Sequence, residues 1–228
     1  MKILNRIIVF ILGIAVLPVM YFRTVIRIVV SLNPESSVYT ILSKIIKDTA
    51  DKGMEITLSI KDVVGFITDG KLTFDGSTFD FSKVPEGLLV NKNWVIASAI
   101  LIAVAIIIAI VIAGCGLFTK AYKTIMGLSA GGAACVFAAI KCFSHFTAPF
   151  LSGEMDIGAL LGNAITDKNA SILASIGSAL LDGSINVDSF CFDSAIFTVL
   201  IIFIGILLWS LAYFVTLPQE KKPKTMKR

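Results

Sequence analysis

Of 228 residues, 56% are hydrophobic and only 16% charged, against roughly half and about a quarter in soluble domains. With a mean hydropathy of +0.89, that balance excludes a water-soluble globular fold, and the length excludes a two-domain enzyme carried on a membrane anchor. The net charge of +4 is uneven, with cations at the ends and one turn and acids in two long loops, so it reports topology and does not argue for nucleic acid as a partner.

The first segment, 1–31, opens with Lys2 and Arg6 and turns apolar at Ile7. No small-x-small cleavage site follows the apolar run, which continues Val16-Leu17-Pro18, so it reads as an uncleaved span over about 7–30 and not as a signal peptide. Its outer end carries Arg23 and Arg27, four apart and so on one helical face. They either snorkel to the headgroups or form an intramembrane cation site facing a loop carboxylate or a permeating anion.

The first loop, 32–93, has structure of its own. Asn33-Pro34-Glu35 is a helix start: an N-cap side chain, proline at the first helical position, an acid in the first turn. Val38, Ile41, Leu42, Ile45 and Ile46 follow as an amphipathic stripe ending at Gly53. Ser59-Ile60-Lys61-Asp62 resembles a capping box, opening a second short helix that ends at Gly70. Leu72 and Phe74, then Asp75-Gly76, then Phe79 and Phe81 predict a hairpin with its four apolar residues on one face.

Between 94 and 148 lie two apolar runs, Trp94–Phe118 and Ile125–Phe146, joined by a tight turn marked by Lys120 and Lys123. Each reaches the ~20 residues that cross a bilayer core as a helix, which predicts spans at 94–118 and 124–146. The second loop, 149–193, carries two further amphipathic stripes, Ile157 to Ile165 and Ile172 to Leu180. After Asp182-Gly183, Ile185, Val187, Phe190 and Phe192 alternate as in a strand. The last span, 195–217 within segment 194–217, places Trp209 and Tyr213 toward its inner end, where amphipathic rings favour the interface. A basic tail, 218–228, closes the chain.

The termini and the central turn hold cations with Glu220 as the one acid, whereas the second loop sets Lys168 against six acids. The positive-inside rule then puts both termini in the cytoplasm and both loops outside the cell membrane; Arg23 and Arg27 argue the other way. The fold class expected is all-α: four transmembrane helices under an extracytoplasmic cap of short helices and small β-hairpins. The loops also share a plan. Each runs from a proline (Pro34, Pro149) through an Asp-Lys pair and an Asp-Gly pair to a Phe-x-Phe, which predicts a parallel internal repeat of span, loop and span.

On the third span Gly127, Gly131, Cys135 and Ala139 stand four apart, a small-residue ridge containing one GxxxG; Ala105, Ala109 and Ala113 repeat the spacing on the second. Close approach over small residues drives helix association in lipid, so these ridges are expected to pack spans two and three, to pack subunits, or to thin a helix beside a pore. The hydrophobic positions Leu72, Phe74, Phe79, Phe81, Ile185, Val187, Phe190 and Phe192 are expected to form the cap's core. His145 is the only histidine, and with Lys141 it sits near the outer end of span three as a further intramembrane charge or a snorkelling pair. The four cysteines have no metal-ligand spacing; Cys142 and Cys191 both fall on the outer side, where a disulfide between them is one outcome. No catalytic, metal or cofactor site is expected.

Four spans with two outer loops and inner termini make a layout that resembles claudins and connexins. Their cysteine-paired and Trp-containing loop signatures are missing here, so the resemblance carries no residue over. The expected function is a non-catalytic assembly, accessory or partner-docking subunit acting through its loops. The alternative is an oligomeric pore or small-solute transport subunit. Partners are the lipid bilayer and either further copies or another protein.

Overall fold

Backbone polar groups find no water in a bilayer, so apolar stretches that cross one must close their hydrogen bonds internally. The computed structural model describes residues 2–36, 54–60, 71–74, 77–80, 92–118, 122–154 and 185–216. Within them stand four helices, α1 (Lys2–Phe22), α2 (Lys92–Phe118), α3 (Tyr122–Leu151) and α4 (Ser194–Thr216). The strands are β1 (Thr24–Leu32), β2 (Met54–Ser59), β3 (Lys71–Phe74), β4 (Ser77–Asp80) and β5 (Ile185–Phe192). All four helices are long and apolar enough to cross a membrane. Even the 21 residues of α1 rise about 30 Å, the depth of a bilayer's hydrocarbon.

The helices form a ring in which α1 and α3 each pack against both α2 and α4. Contacts join the start of one helix to the end of its neighbour. Tyr122 of α3 meets Tyr213 of α4 with ring centroids 4.6 Å apart, and Trp94 of α2 meets His145 of α3 at 5.2 Å. The bundle is therefore antiparallel, with β1 and β5 at one end and the start of α1 and the end of α4 at the other.

The inward residues of α3 are Ile125, Ser129, Gly132, Val136, Ala139, Phe143, Thr147 and Phe150. Their steps mix threes and fours, which holds one face of a helix. A ridge stepping strictly by four turns about 40° each time, and burial along the expected ridge follows that drift. Gly127 is exposed, Gly131 and Cys135 are half-buried, and Ala139 is fully buried. A Cβ added at Gly127 or Gly131 would meet nothing within 4 Å, whereas one at Gly132 would press into the Phe203 ring of α4. On α2, Ala105, Ala109 and Ala113 are all buried. There the seam faces α1: a Cβ on Gly13 would lie 3.0 Å from the Ala109 carbonyl oxygen and 3.1 Å from the Ala113 Cβ.

The expected first span is corrected at its outer end. The helix stops at Phe22, and the chain from Thr24 onward is a strand. Six of the seven residues from Thr24 to Val30 are β-branched, stiff at χ1 and suited to a pleated surface. β1 is the middle of a three-stranded sheet of order β2-β1-β5, antiparallel on both sides. One strand from each loop thus flanks the strand that leaves α1, and the loops meet through it. β2 falls where no element is expected from the sequence, although Ile56 and Leu58 alternate there with Glu55, Thr57 and Ser59.

β3 and β4 form the expected hairpin, pairing Leu72 with Phe79 and Phe74 with Ser77. Asp75-Gly76 and Phe81 lie outside the described residues, as do the amphipathic stripes of both loops apart from Ile60. At Asn33 the Glu35 amide donates to the side-chain Oδ1 at 3.0 Å within a turn; the helix expected to follow lies outside the described residues. At the loop end α3 continues past 146 to Leu151, taking in Pro149, and Gly153 follows with φ 73°, the left-handed conformation that ends helices.

Candidate functional site: a two-faced sheet at the loop end

Alternation along the strands gives the three-stranded sheet two unlike faces. On the inner face Phe190 and Phe192 of β5 meet Phe143, Phe146 and Phe150, which share one side of the last turns of α3. Phe143 stacks on Phe192 at 4.2 Å and meets Phe190 edge-on at 5.4 Å; Phe150 reaches Phe190 at 5.5 Å. Across the strands Ile26 pairs with Phe192 and Ile28 with Phe190. This aromatic cluster seats the sheet on the bundle.

The outer face is mostly polar, with Val29 standing between Glu55 and Ser189 as its apolar member. Arg27 stands opposite Thr57 on one side and Cys191 on the other. Its guanidinium holds Glu55 at two points, Nε to Oε1 at 2.8 Å and Nη2 to Oε2 at 3.1 Å. Both side chains are about half exposed, 46% and 49%, so the pair contributes at most about 1 kcal/mol. Ser31 donates to Asp188 Oδ1 at 2.9 Å. Below them Asp193 ties β1 to the start of α4: its carboxylate accepts from Thr24, its amide donates to the Val25 carbonyl at 2.8 Å, and its carbonyl accepts from the Ile196 amide at 3.1 Å.

The expected intramembrane charges are distributed as follows. Arg27 does face a loop carboxylate, from a strand and not from a helix. Arg23 follows the end of α1 and donates to Thr198 Oγ1 at 3.3 Å. Lys141 lies over the Phe137 ring, its Nζ 5.8 Å from the centroid, and His145 rests against Trp94, both exposed on the bundle. Of the expected cap core, Phe192 is buried and Val187 and Phe190 are half-buried; Ile185 pairs with Leu32 at the strand end. Cys142 and Cys191 are free thiols. Strand alternation turns Cys191 to the polar face, away from the α3 helix that carries Cys142.

Among the described residues no three His, Cys, Asp or Glu side chains gather as a metal site. Two residues with no expectation attached are buried at the opposite end of the bundle. Asn5 is 3% exposed and Ser210 is fully buried; Ser210 carries a signal as a lone polar residue in an apolar run, whereas Asn5, beside Arg6 and close to Lys2, reads as part of a polar chain start. No family model, curated protein or solved structure matches the chain.

Proposed function

We propose that this is a multi-pass membrane protein acting as a non-catalytic assembly or partner-docking subunit, with both termini in the cytoplasm and the sheet outside. The observation that carries the reading is the two-faced sheet. Its apolar face is spent on the bundle through five phenylalanines, and its outer face, with Arg27, Glu55, Thr57 and Asp188, offers an anchored polar surface. The bundle supports the same reading, since its seams are filled by side chains such as Phe203 over Gly132 and Val9 beside Gly116.

The finer layout belongs to this proposal: one cap built from both loops, and a duplicated span–loop–span unit. Its support is the shared order of landmarks in the sequence, with β3 and β4 lying before α2, and β5 before α4, in chain order. One observation favours the pore reading instead, namely the open space beside Gly127 and Gly131, which suits close packing of a second copy.

Extraction from native membranes in mild detergent, followed by mass measurement of the intact complex, tests the proposal. Assembly predicts this chain together with a different polypeptide. A closed ring of identical copies that passes ions in liposomes would replace it with the pore.

A further inference from the structure

At the end of the bundle that carries the termini, the last turns of α4 touch both neighbouring helices. The Trp209 indole donates to Asn5 Oδ1 of α1. Tyr213 hydrogen-bonds Tyr122 of α3 and lies within electrostatic reach of Arg6. Lys123 of α3 sits over the Phe214 ring, Nζ to centroid 5.7 Å. Arg6 is half-buried, and the acids whose side chains are described, Glu35, Glu55, Glu154, Asp188 and Asp193, all belong to the loop side of the helices. The indole bond fixes the Asn5 amide so that Nδ2 is its free donor, and that atom is buried without a hydrogen-bond partner, as is Ser210 Oγ.

Cations with no acid beside them among the described residues, aromatic rings and a buried orphan donor, gathered along the last turns of α4, are what an anion with several acceptor oxygens would satisfy. The geometry points to a phosphate-binding site between α1, α3 and α4, with Arg6 and Lys123 supplying charge and Asn5 Nδ2 and the Tyr122–Tyr213 pair supplying neutral donors. Basic pockets between helices at a membrane face take lipid headgroups in this way. Trp209 is 44% exposed on the bundle surface, so it lies where acyl chains run while its indole NH covers Asn5.

Trp209 is also the reporter. The full chain, carrying Trp94→Phe to silence the other indole, is reconstituted in dioleoylphosphatidylcholine vesicles with rising fractions of brominated dioleoylphosphatidylglycerol, and quenching of Trp209 is read. The anionic lipid should occupy the site with about fivefold preference over phosphatidylcholine, the effect of roughly one cation contact. Lys123→Gln and Arg6→Gln should each lower that preference, Arg6→Lys should retain it, and Arg27→Gln at the far end should leave it unchanged. Relief of quenching by millimolar inorganic phosphate would assign the site to soluble phosphate; persistence of quenching assigns it to lipid. Equal quenching by anionic and zwitterionic lipid, together with no response to inorganic phosphate, would overturn the proposal. So would a preference that Lys123→Gln and Arg6→Gln leave intact.

Discussion

Gly132 is a position where the bundle depends on the absence of a side chain. The ring of Phe203, itself fully buried, occupies the space that a Cβ would take. Gly132→Ala should cost about 1–3 kcal/mol through overpacking, whereas Gly131→Ala, next to it but in open space, should be nearly neutral. Adding Phe203→Leu to Gly132→Ala should recover part of the loss. Thermal unfolding of the variants in detergent reads all three, and equal melting of the two glycine variants would show that the ring yields without strain. Small residues in an apolar run announce close helix approach, and that much is legible in the sequence. Which of them makes the contact depends on phase: the GxxxG spacing marks Gly127 and Gly131, while the residue that selects Gly132 sits on α4, beyond the reach of any local pattern.

The elements that hold the cap to the bundle are β5 and the last turns of α3. Phe143 is 4% exposed and touches Phe146, Phe190 and Phe192, so Phe143→Ala should cost about 3–5 kcal/mol. Because β5 pairs with β1 and β1 with β2, the loss should spread as faster amide exchange through all three strands. Phe137→Ala, at 56% exposure on the outer side of the same helix, should change neither stability nor exchange; loosening confined to α3 in the Phe143 variant would separate the sheet from the aromatic cluster. β5 is readable in advance because its apolar residues alternate with Asn186, Asp188 and Ser189. β1 is not, because Arg23 and Arg27, four apart, suit one face of a continuing helix, and the apolar residues around them fit a buried helix as well as a buried strand. Its β-branched content is the distinguishing signal.

At the scale of the whole molecule the described acids gather at the sheet end, where Glu55, Asp188 and Asp193 stand beside Arg23 and Arg27, while Arg6, Lys123 and the basic tail sequence belong to the helix ends opposite. Under the positive-inside rule the sheet then faces away from the cytoplasm. The native cysteines make that orientation testable without engineering. Cys191 is exposed on the polar face of the sheet, while Cys115, Cys135 and Cys142 are half-buried along α2 and α3, where lipid shields them from an aqueous reagent. A membrane-impermeant maleimide applied to intact cells should therefore label the wild-type chain once, and Cys191→Ser should abolish the label. If labelling appears only after permeabilisation and still requires Cys191, the sheet lies in the cytoplasm. The charge rule would then have been overridden by Arg23 and Arg27, the cations at the sheet end.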